Sequence, residues 1–311
     1  MPRYYAAISG LIPHDFSEEF EVDTFSIMPR RWEVSLWDWA ELQSKHKLHL
    51  PFTVADSILK RCNLEISFLA ESAGDAKEKL SPLHLMLYAN RVHPFSVQLI
   101  SSHSINEYAG INNRKSESGR SLLPEGLRDG ITTSNTTVEV WPAPYNSGAR
   151  FANNELQHKV SREVFAKSVE DASRWIQLRE RNPTSRFLEK VALTAPTLPD
   201  VDLSLLHSWT GLEALFPKVQ TEVSFRLALY LSQLHAVLGD RMPFFQRART
   251  SYNDRSKVAH GGELKKANSD DRWLNAWLLL MDSILSILAR GLIPSEEELV
   301  VELLKASDQS S

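Results

Sequence analysis

The chain has 311 residues, 42% of them apolar, which is enough to bury one large core or two of ordinary size. Its formal net charge of -4 excludes a protein that coats nucleic acid through bulk charge, so any such contact must come from a local patch. One cysteine, Cys62, excludes an intramolecular disulfide framework and a thiolate zinc cluster, and points to a reducing compartment, taken here as the cytoplasm.

In chain order, the N-terminal MPRYYAAISGLIPHDF lacks a convincing cleavage site, with His14 and Asp15 following its apolar run at once, so no signal peptide is expected. Up to about Pro144 the main signal is period-two alternation: Trp32, Val34 and Leu36; Cys62, Leu64, Ile66 and Phe68; Phe95, Val97 and Leu99; Thr136, Val138 and Val140. Such alternation predicts half-buried strands and a sheet-rich first half. The polar stretch from Ile111 to Gly130 reads as a long loop, and WPAPYNSG, Trp141 to Gly148, as a boundary.

After Phe151 the apolar spacing becomes three and four. It predicts an amphipathic helix through Leu156, Val160, Val164 and Phe165 to Ile176, ending near Asn182-Pro183, and then one from Ser185 to Ala195. Further helices are predicted from Asp200 or Asp202 to Phe216, Thr221 to Leu238, Phe244 to about His260 with Pro243 in its first turn, and Asp270 to Arg290. A short acidic one follows from Ser295 to Lys305. The most membrane-like segment, Trp273 to Ile293, contains Asn275, Asp282 and Arg290, and mid-span charge is costly in lipid, so a buried bundle helix is predicted and no membrane partner. The fold class expected is α+β, with a β-rich module over residues 1-148 and an all-α bundle over 149-311.

The stretch SYNDRSKVAHGG, Ser251 to Gly262, ends one of these helices with an arginine, a histidine five residues on, and two glycines. It reads either as an ordinary helix terminus, with basic groups near the dipole's negative end and glycine past the last turn, or as a catalytic pair. Phe245, Ala248, Tyr252 and Ala259 form an apolar stripe, which leaves Arg255 at the edge of the buried face and in need of a counter-charge. On an ideal helix Arg255 and His260 diverge by about 140°, but Gly261 and Gly262 allow the helix to stop at His260 and free its ring. Ser256, one turn earlier, is placed to hydrogen-bond that ring. These groups suit RNA scission by the neighbouring 2'-hydroxyl: an imidazole moves protons near neutral pH, and a guanidinium holds the non-bridging phosphate oxygens. Acid and base roles both want a histidine and the motif supplies only one; two copies facing each other across a dimer would supply both.

This string, in the form Tyr-x-x-Arg-Ser-x-x-x-His-Gly, resembles the signature of the HEPN superfamily and is similar to its ApeA-like branch. LLHSWTGLEALFP (Leu205 to Pro217) and FRLALYLSQL (Phe225 to Leu234) are similar to that branch's other helices, so the resemblance covers roughly Ser185 to Leu292. It implies a helical bundle that forms a homodimer or higher homo-oligomer through the motif helices, and a metal-independent endoribonuclease with Arg255 and His260 catalytic. Tyr252 and Ser256 would support the cleft, and Glu213 is a candidate partner for Arg255, or else an exposed helix acid. Lys257, Lys265 and Lys266 are candidates for the RNA backbone, or else a solvated face. By the same analogy the first half would sense a phage trigger or regulatory partner, in anti-phage defence or a toxin-like role. No cofactor is expected. His46 and His49 are spaced for a metal but lack a third ligand and are flanked by Lys45 and Lys47; Trp32, Trp37 and Trp39 read as a base-stacking platform or, preferably, a strand pair packing a core. An RNA-binding module without catalysis and a purely oligomerising scaffold are the competing functions.

Overall fold

A computed structural model describes residues 1-48, 51-140, 156-262, 264 and 269-308. The chain forms an α+β structure and divides into two compact units. One comprises Met1–Ser81, Val92–Gly148 and Asn154–Val169; the other comprises Pro82–Arg91, Ala149–Asn153 and Glu170–Ser311. The predicted boundary at 148/149 and the segment Trp141 to Gly148 lie outside the described residues.

The first unit begins with strands β1 (Arg3–Ser9), β2 (Ile12–Pro13), β3 (Phe20–Val22) and β4 (Phe25–Pro29), then helices α1 (Leu36–His46) and α2 (Phe52–Leu59). Strand β5 (Cys62–Leu69), helix α3 (Ala73–Ala89, to residue 81, its remainder belonging to the second unit), strand β6 (Ser96–Ser101), the short helices α4 (Ile111–Arg114), α5 (Glu117–Ser121) and α6 (Glu125–Arg128), and strands β7 (Val138–Val140) and β8 (Lys159–Val160) follow. Six strands form an antiparallel sheet in the order β3-β4-β5-β1-β6-β7, and β2 pairs with β8 in parallel. In β1, Ala6 faces Ile66 on one side and Ile100 on the other, while Ala7 lies on the opposite face of the sheet. That opposite face, with Ala7 and Leu99, packs on Trp39 and Leu42 of α1 and Leu59 of α2.

Two local expectations are corrected. The run Trp32 to Leu36 is not a strand: helix α1 starts at Leu36, with Ser35 and Asp38 exchanging side-chain-to-backbone bonds in a capping box. Trp39 is buried on that helix and Trp37 is exposed, so neither belongs to a strand pair. The stretch 111-130 is not structureless either; its three short helices are gathered by Arg114, whose guanidinium donates to the carbonyls of Ile131, Ala109, Leu127 and Glu107 at 2.8 to 3.1 Å. Saturating that buried cation with backbone acceptors replaces the water it has lost.

The second unit contains α7 (Arg162–Arg181, from residue 170), α8 (Pro183–Thr194), α9 (Val201–Ala214), α10 (Val223–Leu234), α11 (Arg241–Ala259), α12 (Ser269–Arg290) and α13 (Glu296–Asp308). Asp200 caps α9 and Asp240 caps α11, each accepting a backbone N–H from the first turn. Helix α12 is long and apolar enough to cross a membrane, yet 78% of its apolar window is buried inside the protein. Trp277 donates to the Ala192 carbonyl at 3.1 Å, and Gly211 lets α9 approach closely: a Cβ there would sit 3.0 Å from Val191 and 3.2 Å from Leu280.

Candidate functional site

The site is built where α11 ends beside α9, and both helices present it through one-turn ladders. On α9, Trp209 and Glu213 are four residues apart; on α11, Ser251 and Arg255 are four apart, so each pair shares a face. The fully buried Trp209 donates from Nε1 to Ser251 Oγ at 3.0 Å, which fixes the two helices one turn below the charged residues. One turn on, Arg255 Nη2 donates to Glu213 Oε2 at 3.1 Å and lies 3.0 Å from Oε1 in an ion pair. Their side chains are 27% and 30% exposed, so the pair lies at a rim and not in the core.

Tyr252 closes a third side. Its ring stands edge-on to Trp209, centroids 5.1 Å apart, and the Arg255 guanidinium carbon lies 5.7 Å from its centroid, a cation-π distance. Burial raises the phenol above its ordinary pKa, with Arg255 opposing and Glu213 adding. Only Nη2 of the guanidinium serves Glu213; among the described residues Nη1 engages no protein group. Nε is buried without a partner. A group with one fixed edge and one open edge can hold an anion from the open side.

The helix ends in a Schellman arrangement, which follows from the two glycines. Gly262 N–H reaches back to the Lys257 carbonyl at 2.9 Å and Gly261 N–H to Val258 at 3.0 Å, with Gly261 at φ +79°. A Cβ on Gly262 would meet the Lys257 oxygen at 3.0 Å, so glycine fits that approach where alanine does not. His260 is the cap itself, with φ -96° and ψ 18°, and its ring is exposed. The expected bond from the Ser256 hydroxyl to that ring is not what forms. Ser256 offers its backbone carbonyl to the His260 N–H at 3.2 Å, and among the described residues the imidazole has no hydrogen-bond partner. Ala259, read as part of the buried stripe, is exposed because the bundle no longer covers the last turn.

The expected residues therefore fall into two groups. Arg255, Glu213 and Tyr252 come together, while His260 and Ser256 share their helix but make no side-chain bond to them. Lys257 is exposed on the last turn; Lys265 and Lys266 lie outside the described residues. Elsewhere, His46 sits in the last turn of α1, where burial lowers its pKa and Lys45 adds to the effect; His49 is outside the described residues.

Sequence reasoning assigned no role to Trp209 or Ser251. The i, i+4 relation of each to Glu213 or Arg255 was the available signal, but the hydrogen bond between them spans 42 residues and leaves no local pattern. No family model matches the chain, and neither does any curated protein or solved structure.

Proposed function

We propose that the protein is a metal-independent endoribonuclease of HEPN type, acting as a homodimer. Its Arg255 and His260, with those of a second copy, would address one phosphodiester. The observation that carries this reading is the state of Arg255: anchored to Glu213 through one nitrogen, open at Nη1, and five residues before an exposed imidazole at the helix end.

The reaction follows from those groups. A substrate 2'-oxygen attacks the adjacent phosphorus as one imidazole takes its proton; the P–O5' bond breaks, and the second copy's imidazole protonates the leaving oxygen. The products are a 2',3'-cyclic phosphate and a 5'-hydroxyl. The open edge of Arg255 neutralises charge on the non-bridging oxygens as it builds. A cytoplasmic setting rests on the single cysteine, whereas a defence or toxin-like role and a sensing function for the first half rest on the family resemblance alone.

A second reading is favoured by one observation: Arg255 already holds a carboxylate within its own chain, as a non-catalytic RNA- or partner-binding module would have it. The test is incubation of the purified chain with labelled single-stranded RNA in EDTA, wild type against His260→Ala, read together with growth arrest on expression and its relief by Arg255→Ala. Cleavage to cyclic ends by wild type alone supports the nuclease. RNA retention without cleavage or arrest supports the binding module, and cleavage retained by His260→Ala overturns the assignment.

A further inference from the structure

The charge of α11 runs against that of the chain. The helix holds five cations, Arg241, Arg247, Arg249, Arg255 and Lys257, and one acid, Asp254, while the chain as a whole carries -4. Three of the arginines are used inside the bundle: Arg241 donates to Gln233, Arg247 to Asp282 and Arg255 to Glu213. Asp254 is matched by Arg272. Arg249 differs from all of these, since it is exposed and among the described residues has neither an ion pair nor a hydrogen bond.

The helix repeat decides what lies beside it. Arg249 and Asn253 precede His260 by eleven and seven residues, so each falls within about 20° of the direction of His260, whereas Asp254 is turned about 120° away from it. Lys257 flanks the same line, and all four of Arg249, Asn253, Lys257 and His260 are exposed. From Arg249 to His260 the strip is about 16 Å long at 1.5 Å per residue, and α11 places no carboxylate on it. It is the kind of local positive patch that a chain of net negative charge needs to hold a polyanion.

We infer that this strip is the track along which single-stranded RNA reaches His260, with Arg249 and Lys257 taking phosphates and the Asn253 amide bonding the edge of an unpaired base between them. A second copy of the chain suits the strip poorly. Twofold symmetry would bring the same cations together from both subunits, and apart from Met242, 58% exposed at the far end of the helix, the strip offers no apolar residue for an interface core. That the strand is led to a point of cleavage rests on the nuclease reading; retention of RNA by Arg249 does not.

The test is fluorescence anisotropy of the full chain with labelled single-stranded RNA carrying 2'-O-methyl ribose throughout, which cannot be cut by its own 2'-oxygen, titrated at several salt concentrations. Arg249→Glu is expected to weaken binding at least tenfold and Arg249→Lys to restore most of it. Arg249→Ala should lower the slope of log affinity against log salt by roughly 0.7, the share of one phosphate contact on a single strand. Arg186→Glu, an equal charge change at an exposed position of α8, should alter affinity less than twofold. Absence of binding, indifference to Arg249→Glu, or an equal loss in Arg186→Glu overturns the track; a changed sedimentation state in Arg249→Glu with unchanged RNA affinity also overturns it and assigns the strip to a contact between copies. Cleavage of unmodified RNA that Arg249→Glu leaves intact removes the track and spares the nuclease, and RNA held through Arg249 without cleavage does the reverse.

Discussion

Arg255 is one cation at a rim, and its pairing with Glu213 is worth little as stability. Exposed and half-exposed ion pairs contribute about 0.2 to 1 kcal/mol, because water and salt screen them and two long side chains must be ordered. What the pair does supply is direction: with Nη2 fixed and the Tyr252 ring beneath, the open edge of the guanidinium faces one way. Glu213→Gln is therefore expected to cost under about 1 kcal/mol in a denaturant titration, while lowering kcat for RNA cleavage by roughly tenfold through loss of orientation. KM should hardly move. A rise in KM with kcat intact would assign Glu213 to substrate affinity and not to positioning.

At the scale of elements, the helix ending decides where His260 stands. Gly261 is in left-handed backbone, where a side chain costs roughly 1 to 2 kcal/mol. Gly261→Ala is expected to lower unfolding free energy by about that amount and to reduce cleavage, since the cap residue moves with its turn; an unchanged denaturant midpoint would show that this ending is not fixed by its glycine. The ending was legible in the sequence because glycine and helix periodicity are local signals. So were α8 to α13, from apolar spacing and capping aspartates, and β5 and β6, from alternation. Other parts were not. In RYYAAIS of β1, Ala6, Ala7 and Ile8 are buried consecutively, since a central strand is covered on both faces and loses its alternation. Trp32, Val34 and Leu36 alternate yet lead into α1, where the local capping box of Ser35 and Asp38 prevails over a three-residue pattern. In the site, Glu213 was found as a candidate through its motif, whereas the Trp209 and Ser251 bond needed the fold to appear.

For the whole molecule, two imidazoles enclosed in the helical unit set a pH response. His84 and His235 are both pushed down to about 3, His84 by burial and His235 by burial with added repulsion from Arg247 and Arg91. The unfolded chain takes up these protons below about pH 6.5, and the folded chain refuses them, so stability is lost as pH falls from there toward 3. Between pH 7 and 5 each histidine is expected to cost about 2 kcal/mol. Asp282 and Glu65, raised chiefly by burial, act in the opposite sense, because protonation favours the folded form as pH falls through their raised values. The comparison that isolates the effect is wild type against His84→Gln and against His235→Gln, each expected to show a shallower decline over that range; parallel curves would contradict it.

The claim joining these scales is that the end of α11 directs a substrate 2'-hydroxyl at its own phosphodiester. The most direct measurement uses an RNA cut at a mapped position and a second strand identical except for a 2'-deoxyribose at that nucleotide. Loss of that single cut, with scission persisting at other positions, is the expected result. Cutting at the deoxy position with undiminished rate would remove the attacking group from the reaction, and with it the roles given to Arg255 and His260.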